Sequence, residues 1–493
     1  MLYYEIIERH PAADKALIFK EEEITYGQLR EKIKQYAAYL QSCGLQKGDR
    51  VGLLSKNSAD FVVTYFAVIR AGGIVVPFNF QLAAREIAYI VKDADLKLMV
   101  VRESIDLKTA LEEIGYPTLR QVTFAELQTG KPAELLEYKM QQEENCTIIY
   151  TSGTTGKPKG AMLSHTNLVA NAEEFTAVVD VYPTDIGLCV LPMYHCFAWT
   201  VSVTGMLLKG AAIVVQETYI FKDTMNLIAK HQVNAFAGVP TMIQLFYKGA
   251  EKEELANIRW FVSGGAPLPQ VLAAGFQKKF GKPVQEGYGL SEASPVVAVN
   301  PASKVKVGSI GPELPGVTVS IRTESDQELP AGEVGELCVR GKNVMLGYLN
   351  LPEETAKALR GGWLHTGDLA YKDEEGYIFI VDRLKDMIIS SGENIYPREI
   401  EEVLYTHPLI EEVSVIGIPD KLRGQAVCAY IVLREGEGLE RKAVRKYLLE
   451  RLAPYKVPRE FFFCAQLPKN STGKILKTAL REQALIDMVN RKR

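Results

Sequence analysis

The decapeptide Thr151-Ser-Gly-Thr-Thr-Gly-Lys-Pro-Lys-Gly160 follows the apolar run Thr147-Ile-Ile-Tyr150 and is built almost wholly of hydroxyl, glycine and lysine residues. Gly153, Gly156 and Gly160 permit tight turns and close approach of backbone to a ligand. Thr151, Ser152, Thr154 and Thr155 add hydroxyl donors, and Lys157 and Lys159 add positive charge. Together these are the ingredients for gripping phosphates. The spacing is not that of a Walker loop, because Pro158 and Ala161 stand where its second glycine would have to lie. A solvated, flexible loop is the bland alternative, and so many donors directly after a buried strand argue against it.

Six further segments stand in a fixed order along the chain: Ser263-Gly-Gly-Ala-Pro267, Gln285-Glu-Gly-Tyr-Gly-Leu-Ser-Glu292, Trp363-Leu-His-Thr-Gly-Asp368, Asp382-Arg-Leu-Lys385, Ser391-Gly-Glu-Asn-Ile-Tyr-Pro-Arg-Glu-Ile-Glu401 and Pro468-Lys-Asn-Ser-Thr-Gly-Lys474. With the loop, they resemble the signatures of the adenylate-forming superfamily, which holds acyl-CoA synthetases, peptide-synthetase adenylation domains and firefly-type luciferases. The resemblance spans nearly the whole chain. It implies that Thr151, Ser152, Gly153, Thr154, Thr155, Gly156 and Lys157 hold the ATP phosphates, with Thr151 close to the chemistry. It places Gly265, Ala266, Pro267, Glu286, Gly287, Tyr288, Gly289 and Ser291 around the adenine, Tyr288 stacking on the base from a flat slot between two glycines. Asp368 is implied as the ribose ligand, with Arg383 assisting, and Lys474 as the catalytic lysine. Glu292 is implied as a Mg²⁺ ligand, a hard oxygen suited to that cation. Lys385 falls at the implied hinge, and Ser391, Gly392 and Glu393 in the loop that turns toward the thiol of CoA.

The chemistry so implied has a physical rationale. A carboxylate is a poor electrophile, so joining it to a thiol requires a better leaving group than oxide, and AMP supplies one. The first step presses a carboxylate oxygen onto the α-phosphorus of ATP, anion against anion. Positive charge must therefore be arranged beforehand where negative charge accumulates. Lys474 is the candidate for both the carboxylate and the phosphate side. A lone lysine near a C-terminus is ordinarily a solvated charge, and only the Ser-Thr-Gly-Lys context reverses that. A glutamate in the place of Glu292 also suits a helix N-terminus.

His195, in Leu191-Pro-Met-Tyr-His-Cys-Phe-Ala-Trp199, sits on an apolar stretch where an isolated histidine is more often a satisfied core residue than a catalyst. In the family, acyl- and aryl-CoA synthetases carry a histidine here, whereas amino-acid-activating domains carry an aspartate for the substrate ammonium. This chain carries the histidine. His195, Phe197, Trp199, Gly238, Val239 and Gly265 are the candidate wall of the acyl pocket, and its segments contain no charged residue to clamp an amine or a second carboxylate. A medium- or long-chain fatty acid is the expected substrate, with ATP, Mg²⁺ and CoA as its companions. An aryl-CoA ligase acting on benzoate-, cinnamate- or succinylbenzoate-like acids, an acyl-AMP ligase loading a carrier protein, and a non-catalytic nucleotide-binding protein are the alternatives.

Positioning these residues demands a large framework. At 493 residues the chain exceeds one compact core. Its 47% hydrophobic and 24% charged composition is that of an ordinary folded protein, and a net charge of −3 gives no nucleic-acid footprint. Seven scattered cysteines, none spaced as a zinc or disulfide framework, fit a reducing, cytoplasmic setting. The start of the chain does not read as a secretory signal. Ile186–Leu208 is uncharged and long enough to cross a bilayer, but its proline, glycine and hydroxyl residues fit a buried strand, loop and helix instead. Peripheral membrane contact and the choice between monomer and homodimer are left open.

Short β-branched runs alternate with amphipathic stretches, as in Val51–Ser55, Ala59–Arg70 and Gly73–Pro77, which predicts βαβ units and mainly parallel sheets. Thr25 and Gln28 form a capping box before Leu29, Ile33, Tyr36 and Leu40, and Gly44 ends that helix. Gly- and Pro-rich turns at 305–345 predict a small β subdomain. The fold class is therefore α/β: a large multi-subdomain N-terminal domain over residues 1–382, a hinge at 383–385, and a small mobile α+β domain over 386–493. From Asp386 onward there are 18 basic and 15 acidic residues, against 39 and 45 before it, so a mildly basic cap faces a more acidic body.

Overall fold

A computed structural model describes residues 1–131, 134–151, 157–420, 422–436, 438–469 and 474–491, with side chains described as far as Asp487. Two large sheets form the body. One has eight strands in the spatial order Val296–Val299, Val284–Gly289, Trp260–Ser263, Ala235–Gly238, Ile186–Cys189, Ala212–Val215, Lys15–Phe19 and Glu22–Thr25, parallel except at its two outer pairs. The other has seven, running from Gly347–Tyr348 through Lys159–Ser164, Asn145–Thr151, Ile74–Phe78, Arg50–Leu54 and Leu96–Val101 to Arg120–Thr123, again parallel apart from the first two pairings. The predicted βαβ rhythm is thus realised twice.

The helix Tyr26–Ser42 begins at the predicted capping box, with Gln28 N–H donating to Thr25 Oγ1 and Thr25 N–H to Gln28 Oε1. Leu29, Ile33, Tyr36 and Leu40 form its buried stripe. The helix Ala59–Arg70 differs from expectation. Every residue from Phe61 to Ile69 is buried, so it is apolar on all faces rather than amphipathic. The reason is its place in the core, between the strands of one sheet and the rings of Tyr3 and Trp199.

The uncharged stretch folds inside the body as the strand Ile186–Cys189, a π-helical turn at Ala198–Thr204 and a short helix at Gly205–Leu208. Among the described residues no helix is long and apolar enough to cross a membrane. All seven cysteines are free thiols.

The small β subdomain is larger than predicted. It is a four-stranded antiparallel sheet of Val317–Arg322, Gly335–Gly341, Leu364–Lys372 and Ile378–Arg383, so it extends well past residue 345 and its last strand ends on Arg383. After a turn at residues 384–386 a separate sheet starts at Ile388, with Ile410–Asp420 and Gly424–Leu433 as its long central pair. The helices Pro397–Tyr405, Arg441–Leu449 and Lys477–Arg491 complete this cap, and Ile388, Ile400, Leu404, Val415, Ala429 and Leu448 belong to a core of its own.

Candidate active site

The strands Trp260–Ser263 and Val284–Gly289 are parallel neighbours, with Ser263 opposite Glu286. Their adjacent C-terminal ends therefore bring Gly265, Ala266 and Pro267 beside Glu286, Gly287, Tyr288 and Gly289 at the carboxyl edge of the sheet, the usual place for a ligand in such folds. Gly289 has no alternative residue. A Cβ there would lie 2.2 Å from the carbonyl oxygen of Pro295, just ahead of the strand Val296–Val299 that pairs with it. These residues line a cavity of about 450 Å³, which Asp368, Asp382, Arg383, Asp386, Lys474 and Lys477 enclose from the other side.

Asp368 is fixed by sheet register, since its antiparallel partner is Arg383. Arg383 Nε lies 3.2 Å from Asp368 Oδ1, and the phenol of Tyr288 donates to Asp368 Oδ2. Both carboxylate oxygens are engaged by these groups, and a carboxylate oxygen can accept more than one hydrogen bond, so a sugar hydroxyl can be added. The tie between Tyr288 and Asp368 was not foreseen from the sequence; it leaves the ring at the cavity wall. Behind this strand, Glu336 accepts the N–H of Gly367 at 3.0 Å and lies 2.8 Å from His365 Nδ1.

The strands Asn145–Thr151 and Lys159–Ser164 pair antiparallel on either side of the hydroxyl- and glycine-rich segment. Thr151 ends the strand Asn145–Thr151 and pairs with Lys159 on the returning strand. Ser152, Gly153, Thr154, Thr155 and Gly156 lie outside the described residues, as do Asn470 to Gly473 ahead of Lys474. The loop's two lysines have separate fates. Lys157 is exposed, whereas Lys159 is paired with Glu354 at 2.5 Å and lies 5.3 Å from the centre of the Tyr348 ring. Tyr348 in turn donates to Glu292 Oε1 at 2.8 Å, and Met345 N–H holds the Glu292 carbonyl. Glu292 follows Ser291 in a short 3-10 turn after the strand Val284–Gly289. A partly buried carboxylate with an oxygen to spare fits a hard divalent cation beside phosphates.

His195 sits in the turn after Leu191. Its Nδ1 accepts the N–H of Phe197 at 3.2 Å, which assigns the proton of the neutral ring to Nε2. Burial, and then the nearby charge of Lys474, push its pKa down to about 4. At neutral pH His195 is therefore an uncharged donor through Nε2. Gly264 and Gly238 leave space that rings fill: a Cβ on Gly264 would be 3.2 Å from Phe197, and one on Gly238 would be 2.7 Å from Phe236. Val239 is the nearest neighbour, at 3.7 Å, of a Cβ placed on Gly265. Trp199, expected in this wall, is elsewhere. The π-helical turn points its indole into the core, stacked on Tyr65 with ring centres 3.8 Å apart.

Lys474 reaches the cavity from the cap. Burial, followed by the charge of Arg383, lowers its pKa to about 8, against the partial support of Asp368. Lys477 beside it pairs with Glu401 at 3.0 Å, and Arg481 with Asp386 at 2.6 Å. The structure does not bring Ser391, Gly392 and Glu393 to the cavity. They form the exposed tip of the hairpin Ile388–Ser390 and Glu393–Ile395. Lys385 is exposed in the turn between Arg383 and Asp386.

Sequence reasoning passed over Tyr348 and Arg398. Arg398 lay in view as Pro397-Arg-Glu, where the proline marks a helix start, but its carboxylate partner Glu286 is over 100 residues away.

Comparison with known proteins gives a consistent picture. The AMP-binding enzyme family matches residues 4–349, and the AMP-binding enzyme C-terminal domain matches residues 399–474. The chain is 37% identical over 511 aligned residues to the long-chain-fatty-acid–CoA ligase of Bacillus subtilis (strain 168), covering 95% of this chain and 91% of that protein. ATP-bound MatB from Rhodopseudomonas palustris superposes with a TM-score of 0.93 at 31% identity, over 98% of this chain and 99% of that one. The o-succinylbenzoate coenzyme A synthetase (MenE) of Bacillus subtilis, in complex with ATP and a magnesium ion, superposes with a TM-score of 0.87 at 30% identity, over 98% and 99%.

Proposed function

This chain belongs to the AMP-binding enzyme family and is an AMP-forming acid–thiol ligase, and from that premise we propose that it activates a fatty acid as its acyl-adenylate and transfers the acyl group to CoA. The observation that carries this reading is the convergence on one cavity of Lys474 from the cap with Asp368, Arg383 and Tyr288 from the body. In the first step a carboxylate oxygen of the acid bonds to the α-phosphorus of ATP, and pyrophosphate leaves. Lys474, as a cation, draws the two anions together and offsets charge on the phosphate, while neutral His195 orients the carboxylate by donating from Nε2. Thr151 and the loop after it, with Lys157, hold the phosphates. Gly265, Ala266, Pro267, Glu286, Gly287, Tyr288, Gly289 and Ser291 frame the adenine, and Asp368 with Arg383 takes the ribose. Mg²⁺, held by Glu292, would supply positive charge at the phosphates.

In the second step the CoA thiol, losing its proton, bonds to the acyl carbonyl carbon and AMP leaves. The cap turns about Lys385, within the hinge 383–385, withdrawing Lys474 and presenting Ser391, Gly392 and Glu393 to the pantetheine arm. The apolar wall of Phe197, Gly238, Val239 and Gly265 supports an aliphatic acid. An aromatic acid is the second reading, supported by the aromatic ring of Phe197, whose tip lies against Gly264. The test is pyrophosphate release over a panel running from butyrate to stearate and including benzoate, cinnamate and o-succinylbenzoate, with and without CoA. Greatest turnover is expected with a fatty acid. A preference for an aromatic acid would transfer the assignment to the second reading, and an adenylate that free CoA does not consume would refute the thiol step.

A further inference from the structure

Arg398 occupies the first turn of the helix Pro397–Tyr405, where a cation opposes the helix dipole. Local helix stability does not ask for it there. Its backbone N–H donates to Asp382 Oδ2 at 3.0 Å, and its side chain runs back across the turn at 384–386. Nη1 donates to the carbonyl of Ile380 at 3.0 Å, and Nη2 lies 3.7 Å from Glu286 Oε1. Glu286 is buried at the carboxyl edge of the eight-stranded sheet, and the same oxygen accepts the N–H of Leu268, directly after the loop Ser263–Pro267. Burial raises its carboxyl to about 7, and Arg398 is the strongest influence in the other direction. One turn further along the helix, Glu402 accepts the N–H of Gln270 at 3.3 Å.

Ile380, Asp382 and Glu286 all precede the turn, and Arg398 follows it. A rotation of the cap about that turn parts Arg398 from all three together. We infer that Arg398 is a positioning residue for adenylation, a latch that uses the buried carboxylate of Glu286 to hold the cap where Lys474 reaches the cavity. The inference rests on the two-orientation reading proposed above. Arg398 touches none of the reacting atoms. Its effect is on the population of the lysine-in orientation, so its loss slows the step that needs Lys474 and spares the step that needs the cap turned away.

The test separates the half-reactions in the full chain, using the most active acid of the panel and its chemically prepared acyl-AMP. Arg398→Gln and Glu286→Gln, the latter keeping an acceptor for Leu268, are each expected to lower pyrophosphate release by about tenfold, the scale of a charge-assisted pair. In Arg398→Gln, thioester formation from supplied acyl-AMP should stay within about twofold. The double variant should be no worse than the more severe single one, because both remove the same interaction. Equal loss of both half-reactions in Arg398→Gln, loss of neither, or losses that multiply in the double variant would each overturn the latch. Should Arg398→Gln not fold, Arg398→Lys, which keeps the charge but not the fork, carries the test with an intermediate defect in adenylation alone. Lys474→Ala runs alongside. If that variant still adenylates, the two-step reading falls and the latch with it; if it does not, a failed latch leaves the reading standing.

Discussion

Around Trp199 the body is sealed by rings: Tyr65 stacked on the indole, Phe61 and Phe66 beside it, and on the other face of the eight-stranded sheet a second aromatic chain of Phe236, Phe246, Phe261 and Phe276. The seam between this body and the cap is built of other material. There Arg398 faces Glu286, Lys248 pairs with Glu411 at 2.5 Å, and Glu402 accepts from the backbone of Gln270. Apolar burial at roughly 25 cal/mol per Å² makes the ring clusters costly to part. Ion pairs as exposed as Lys248 and Glu411 contribute about 0–1 kcal/mol each, and water satisfies both partners once they separate. The contrast teaches where the molecule can move: the body is closed by contacts that resist opening, and the cap is held by contacts that water can replace.

The sharpest way to break this contrast is at the residue that crosses the seam. Lys474→Ala should lower adenylation by about 10³-fold, read as pyrophosphate release, with thermal unfolding of the body little changed. A parallel loss of stability would show that Lys474 is part of the structure rather than of the chemistry. In the body, Phe261→Ala should cost about 3–5 kcal/mol in denaturant unfolding, and it should leave the ratio of the two half-reaction rates unaltered in the molecules that remain folded. A shift in that ratio would mean that the core and the seam are coupled. At the proposed pivot, Lys385→Pro fixes one backbone angle. Thioester formation should fall by about tenfold with adenylation nearly intact, and equal losses would place the pivot elsewhere.

The gentlest probe is pH. Lys474, lowered to about 8 by burial and by Arg383, is a cation below that pH and loses its proton as pH rises through it. Adenylation kcat/KM, which reports the free enzyme, should therefore decline above about pH 8. Thioester formation from supplied acyl-AMP should not decline there. Lys474→Arg stays charged and should remove that alkaline limb; a limb that persists belongs to another group.

Much of this was legible in the chain before folding. The Thr25 and Gln28 capping box announced the helix Tyr26–Ser42, and the alternation of β-branched runs with helical stretches announced parallel sheets. Signals of this kind are local. What stayed hidden depended on partners far apart in sequence: the phenol of Tyr288 on Asp368, 80 residues on, and the guanidinium of Arg398 beside Glu286. The body helix Ala59–Arg70 was misread as amphipathic because its polar residues are so few that only three-dimensional enclosure decides which face is wet. Trp199 was misplaced because apolar character suits a pocket wall and a core equally, and the rings that claim it, Tyr65 and Phe66, lie far away in the chain.

The tip of the cap hairpin carries one more consequence. Ser391 and Gly392 both have positive φ, 55° and 86°, and a Cβ added to Gly392 meets nothing within 4 Å. Two separate demands for glycine, handedness and clearance, are thereby uncoupled in this orientation, where only handedness applies. The torsional cost of an alanine at 392 belongs to the hairpin and travels with the cap wherever it turns. Clearance belongs to whatever the tip is brought against. Any defect that an alanine here confines to the thiol step is therefore a measure of the guest, taken with the backbone already held constant.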